Sequence, residues 1–466
     1  MSKEVVKQAG ELADADRLDE AMELCHKVLL DEPDNPGVLY VIGCVLLKAA
    51  RQVQAIQIAK RITHLCPNDF RGWSLLALCW GELCRYDESV RNAEKALKCK
   101  RTDKTLSDLA YAHTNAGNWD LADKYCKEAL IEATVNPSPL SNEALTNCRV
   151  SNGYIKLAQG KWKEGFEGFR ATLRTKWRKE WAYGDSQEWF GEPDAVVMVT
   201  GEQGLGDEVM AASMIPDAQR AAKTFILDCD ARLATLFRRS FPGVIVTPTR
   251  REQNVTLPVM PTHHKSMFGL GELFRQKDED FPRKPYLVPD PEDVEMFRHR
   301  FGGRKVIGLA WSGGLPRTGQ EPRDAGLNAF LPLLKRGGEY LSLQYKNDLA
   351  EIDALEKQHG IKIHRLPWVT CGQDMDLLAA LIASLDEVIG VHTTALHLSS
   401  AMGVKTTTLV HRGSGWRYSG NELIWYPETT KLWRKKTGES WRDCIERLVS
   451  DRLLRTDQPA VSELPA

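Results

Sequence analysis

No stretch of this 466-residue chain approaches the roughly 18 apolar residues that a membrane-spanning helix needs, and none is expected. The opening residues, MSKEVVKQAGELADADRL, are charged and lack the apolar core of a secretory signal, so a cytoplasmic location is expected. Charge of one sign is missing too: 62 Lys and Arg stand against 63 Asp and Glu, a net charge of -1. Without surplus cations to neutralise phosphates, a general nucleic-acid binder is excluded. The densest basic run, Arg170 to Lys179 around Trp177, reads as a solvated helix face. Eleven cysteines contain no CxxC pair, which argues against a zinc site or a disulfide framework, and most sit at helical core positions as small apolar residues.

What is present begins with a repeat. Small residues recur at Ala21, Ala55, Ser89, Ala122 and Gly165, a step of about 34 residues apart from one insertion near Val135 to Ser141. Pro33 and Pro67 lie one period apart, and the stripe Leu39, Ile42, Gly43, Leu46 returns as Trp73, Leu76, Ala77, Trp80. Gly117–Trp119 and Gly160–Trp162 are equivalent inter-helix turns. A helix-turn-helix unit of this length resembles the tetratricopeptide family over about residues 2 to 175. Such units stack into a superhelix with a concave face, which serves either as a docking groove for a protein or as a scaffold for self-association.

From Ala195 the texture changes to short β-rich runs alternating with helical segments: VVMVT, TFILD and VIVTP, then, after FPRKPYLVPDPEDVE, VIGLAW, YLSLQ, IKIHR, EVIGV and TTTLV. This alternation predicts two parallel-sheet blocks facing each other across a cleft, with ligands at the strand C-terminal ends. Ser440 to Leu454 reads as a closing helix. The expected domains are 1–175, 176–290 and 291–466.

In the first block VVMVT breaks at Gly204, Leu205, Gly206 and Asp207 and restarts with helical spacing, a glycine turn with a carboxylate at a helix mouth. It is not a P-loop, because Asp207 and Glu208 stand where Lys and Ser or Thr are required, and Val209 spoils a dinucleotide fingerprint. Asp207 also suits ordinary helix capping. In the second block EVIGV runs into His392, Thr393, Thr394, Ala395, Leu396 and His397, a helix start whose free N–H groups suit a diphosphate. Another strand end, LAWSGG, offers Ser312, Gly313 and Gly314, followed by Arg317 and Arg323.

Taken in order, GEQGLGDEVM, GLAWSGG, LSLQ, DMDLLAALIASLDEVIGV, TTALHLSSAMG and WYPETTKLWR resemble the heptosyltransferase-type glycosyltransferases, family 9, from roughly Trp181 to Trp441. The resemblance implies a GT-B fold of two Rossmann-like subdomains and an inverting, metal-independent transfer from a nucleotide-diphosphate sugar, with no further cofactor. It implies Asp207 as general base toward the acceptor hydroxyl, and substrate contacts from Gly204, Gly206, Ser312, Gly313, Arg317, Arg323, His392, Thr393, Thr394, Ala395, His397 and Arg417. The acceptor it implies is a glycan, a lipid-linked sugar or a protein bound by the repeats. One position departs: the family carries Asp where this chain has His392, which opens the alternative of a non-catalytic assembly protein on a degenerate GT-B fold. The string Asp228, Cys229, Asp230 leads away from the expected diphosphate and is not read as a metal motif.

Overall fold

The computed structural model describes residues 2–137, 141–173, 178, 181–250, 257–314, 323–346 and 348–456. They fall into two compact units, one built on residues 1–159 together with Gly413–Ser419, the other on the remainder from Gly160.

The first unit is a run of antiparallel helix pairs: α1 Ser2–Asp14 and α2 Leu18–Asp31, α3 Pro36–Lys48 and α4 Gln52–Leu65, α5 Phe70–Glu82 and α6 Tyr86–Cys99, α7 Asp103–Asn115 and α8 Trp119–Val135, then α9 Ser141–Ala158. Caps recur with the sequence period. The Asn35 side chain accepts from Gly37 N–H and Val38 N–H at 3.0 and 3.2 Å, Asp69 accepts from Arg71 N–H at 3.0 Å, and Thr102 accepts from Thr105 N–H at 3.3 Å. The repeated small residues are the interhelical contacts. Ala21, Ala55, Ser89 and Ala122 are all buried, and Ser89 tolerates this because its hydroxyl donates to the Ala77 carbonyl at 2.7 Å. The corners between paired helices hold one residue in the left-handed region, at Asp16, Ala50, Cys84, Gly117 and Gly160. Only the last two are glycine, so the first three corners do not show in the sequence. Gly413–Ser419 packs with this unit: a side chain at Gly413 would collide with Asn115 and Tyr86, and the Ser419 hydroxyl donates to the Ala158 carbonyl at 2.8 Å.

The second unit contains two five-stranded sheets. In the first, β1 Gln187–Glu188, β2 Val196–Thr200, β3 Thr224–Asp228, β4 Ile245–Thr247 and β5 His263–Ser266 lie in the order β1-β5-β2-β3-β4, every pair parallel. In the second, β6 Val306–Ala310, β7 Glu339–Ser342, β8 Glu387–Val391, β9 Thr406–Val410 and β10 Thr430–Arg434 lie in the order β10-β9-β8-β6-β7, again parallel. The winding reverses beside β2 in one sheet and between β6 and β8 in the other. At such points the loops leave in opposite directions and open a crevice at the strand C-terminal ends.

The structure departs from the sequence reading in three places. IKIHR forms no strand; one bridge, His364 to Leu341, ties it to β7. Conversely HHKS forms β5, whose Lys265 is buried between Glu188 and Glu272 at 2.9 and 3.0 Å. The helix α10 Trp162–Phe169 carries the repeat's Gly165 but packs with the second unit, where Phe166 fills the space above Gly271 and Phe169 meets Phe268 edge-on at 5.8 Å. Bulky aromatics on α10 replace the small contacts of the earlier repeats. The expected closing helix is present at Trp441–Thr456 and buries Cys444, Ile445 and Leu448.

Candidate functional site

β2 ends at Thr200, and the chain turns through Gln203, held at φ +64, into the helix Leu205–Ala211. Three acids flank this turn and each goes a different way. Glu202 is buried and receives Arg178 in a two-pronged pair at 2.6 and 2.8 Å, with a further hydrogen bond from Phe268 N–H at 3.0 Å. Glu208, fully buried, accepts from Asp230 N–H at 3.0 Å and faces Arg250 Nε at 3.0 Å. Glycine is needed at 201 because a Cβ there would stand 2.6 Å from the Glu208 carboxyl carbon. Asp207 remains half-buried at the turn, one oxygen accepting from Gly204 N–H at 3.1 Å. It therefore does cap its own helix, and does so from the mouth of the crevice.

Asp228 and Asp230 hold the neighbouring loop. Asp228 accepts from Thr249 and from the Arg250 N–H, while Asp230 accepts from Arg232 and Arg250. The Arg232 guanidinium brings the Asp230 carboxyl down to about 2. Among the described residues no group of three or more His, Cys, Asp and Glu is arranged to hold a metal.

In the second sheet the loops after β6, β8 and β9 converge. Residues 323–325 fold back on 311–313, with Gly313 N–H donating to the Arg323 carbonyl at 3.2 Å and Ala325 N–H to that of Trp311 at 2.9 Å. This lays the Arg323 guanidinium over Gly314, whose φ of +82 favours glycine. Gln344, from the LSLQ run, spans the backbone of Ser312, 2.9 Å from both its N–H and its C=O in the orientation that pairs donors with acceptors. A Cβ at Gly313 would stand 2.5 Å from Thr393 Cγ2, so β6 and β8 loops touch there. Thr393 precedes the helix Thr394–Ala401, and its hydroxyl oxygen is buried with no hydrogen-bond partner among the described residues. His392 and His411 lie with ring centroids 5.8 Å apart. Burial, reinforced by Arg323, holds His392 well below the usual imidazole value and His411 down to about 4. Both are neutral at pH 7.

The two halves meet at these loops. His397, fixed by a 2.6 Å hydrogen bond between Nδ1 and the Tyr426 hydroxyl, packs so closely on Gly206 that a Cβ there would stand 2.7 Å from its Cδ2. Farther out, Arg239 grips Asp376 with two bonds of 2.6 and 2.8 Å. The structure thus brings together Gly204, Gly206, Asp207 and His397 on one side of the Thr394 helix, and Ser312, Gly313, Arg323, His392, Thr393, Thr394 and Ala395 around its start. Arg417 belongs to Gly413–Ser419, which packs with the repeat unit, and its guanidinium lies over Trp416 at 4.8 Å. Arg317 lies outside the described residues. The sequence reading missed His411, Arg250, Arg178 and Tyr426 as site residues, although His411 is the first residue beyond a parallel strand, Tyr426 lies in the WYPETTKLWR run and Arg178 in the basic run 170–179.

The chain thus joins a unit of paired helices to a unit of two five-stranded parallel sheets, each sheet reversing its winding at one switch point. A tetratricopeptide-repeat family model matches residues 12–79. Protein FlbA of Caulobacter vibrioides is 28% identical over 433 residues, covering 85% of this chain and 70% of FlbA. Among solved structures, E. coli ADP-heptose LPS heptosyltransferase II aligns with 56% of this chain and 99% of its own length, at 14% identity and a TM-score of 0.38. A glycosyl transferase family 9 structure from Veillonella parvula covers 57% and 97%, at 13% identity and 0.40. A thermophilic TPR protein of Thermus thermophilus covers 37% and 90%, at 17% identity and 0.33. No helix among the described residues is long and apolar enough to cross a membrane.

Proposed function

We propose that this chain is a metal-independent inverting glycosyltransferase that moves a sugar from a nucleotide-diphosphate sugar to an acceptor hydroxyl. Asp207 accepts the proton as the acceptor oxygen bonds to the anomeric carbon, and the bond from that carbon to the diphosphate breaks with its electron pair on the leaving oxygen. The first N–H groups of the Thr394 helix, the Thr393 hydroxyl and Arg323 receive the charge that develops there. Neutral His392 and His411 hydrogen-bond the donor sugar. The repeats bind the acceptor or a partner protein. The observation that carries this reading is the contact of Gly206 with His397, which sets the carboxylate turn of one half against the donor-rich helix of the other.

The test is calorimetric binding of UDP, GDP, ADP, CDP and dTDP with and without metal, followed by transfer assays on Asp207→Asn. One nucleotide binding without metal, with binding kept and transfer reduced at least about 100-fold in the variant, supports it. Undiminished transfer by Asp207→Asn removes the general base. A well-folded protein that binds none of the five favours the second reading, a non-catalytic assembly protein, to which neutral His392 and the capping bond of Asp207 already point.

A further inference from the structure

We propose that Arg178 is a positioning residue for the site, fixing the Gln203–Asp207 turn through Glu202; this rests on the transferase reading. Arg178 lies beyond α10 and is itself buried, with 4% of its surface exposed. Its five N–H groups meet five acceptors: both Glu202 oxygens, the Phe169 carbonyl at 3.0 Å, the Thr172 hydroxyl and the Ser266 hydroxyl at 3.3 Å. The guanidinium also stacks on Phe169 at 4.1 Å. One side chain therefore ties the stretch after α10, the end of β5 and Glu202, two residues past β2, into one unit. Glu202 is followed directly by Gln203 in its left-handed conformation and by the Gly204 cap that Asp207 accepts from. If Glu202 moves, the Asp207 carboxylate moves with it. Lysine cannot substitute, because a single ammonium lacks the planar fork that reaches five acceptors in three directions.

The experiment uses the full chain with Arg178→Ala and Glu202→Gln. The expected results are amide exchange in residues 203–208 faster by about tenfold or more with β8 unchanged, and kcat reduced by about ten- to a hundredfold with donor KM within about twofold. Guanidinium ion at tens of millimolar, about a hundredth of a denaturing dose, restores kcat in Arg178→Ala. Unchanged exchange in the turn, or kcat and donor KM altered together with a general loss of protection and no rescue, overturns the proposal. If Arg178→Ala does not fold, Glu202→Gln decides by the same readings. A wild-type chain that transfers no sugar defeats the transferase reading alone, since exchange in the turn still decides what Arg178 holds.

Discussion

Gly313→Ala tests the site by adding one carbon. The new Cβ would stand 2.5 Å from Thr393 Cγ2, about 1 Å short of the roughly 3.5 Å at which carbon atoms rest in contact. Gly313 is not among the residues with positive φ, so alanine strains nothing in its own backbone. The misfit falls on Thr393, which must rotate or retreat, and overpacking of this kind costs about 1–3 kcal/mol. Retreat displaces the residue preceding the Thr394 helix, where N–H groups and the orphaned hydroxyl are expected to meet the diphosphate. Nucleoside diphosphate affinity should fall by about tenfold or more, each tenfold being about 1.4 kcal/mol. Calorimetry reads both effects: the unfolding transition of the second unit should drop by a few degrees, and Kd should rise. An alanine variant with unchanged Tm and unchanged Kd would show that the loops after β6 and β8 do not touch as described, and the diphosphate reading would lose its floor.

Two further outcomes are expected. Ala50→Gly should stabilise the repeat unit by about 0.5–1 kcal/mol, because relief of left-handed strain at φ +57 exceeds the entropy glycine adds to the unfolded chain; denaturant titration that finds destabilisation would refute this. His411, buried and brought to about 4, contributes stability that is present above the unfolded value near 6.5 and lost as pH falls through 4, since the unfolded imidazole takes up its proton first. Unfolding free energy measured between pH 7 and 4 should fall with acidification, and less steeply in His411→Asn; equal slopes would refute the assignment.

The repeat register was legible because close helix packing demands small residues at a fixed step, and Ala21, Ala55, Ser89 and Ala122 meet that demand. The left-handed corners were legible at Gly117 and Gly160 alone, since Asp16, Ala50 and Cys84 bear the same conformation without advertising it. Strands with continuous apolar runs were readable. HHKS was not, because its buried lysine is made tolerable by two glutamates, Glu272 seven residues on and Glu188 from the neighbouring strand. The loop at Arg417 has the composition of a binding loop, and only its packing against Asn115 and Ala158 assigns it to the repeats.

The acids of the glycine turn show what sequence alone lacks. Asp207 and Glu208 in succession read as two charges at one helix mouth, repelling any phosphate. Folding separates them: Glu208 turns inward to Arg250, Glu202 turns inward to Arg178, and Asp207 alone of the three stays half-buried at the crevice. The partners that make this division possible lie outside the glycine-turn motif, Arg178 being 24 residues before Glu202 in a basic run that reads as a solvated face. Removing one partner of a buried pair leaves the other charge uncompensated, typically about 3–5 kcal/mol. Substitution of Glu202 or Glu208 therefore acts first on the shape of the turn, whereas Asp207→Asn keeps an oxygen to accept from Gly204 N–H and removes the capacity to take a proton. That difference separates a base from a brace, and it is the difference that transfer assays on Asp207→Asn read against Glu202 and Glu208 variants.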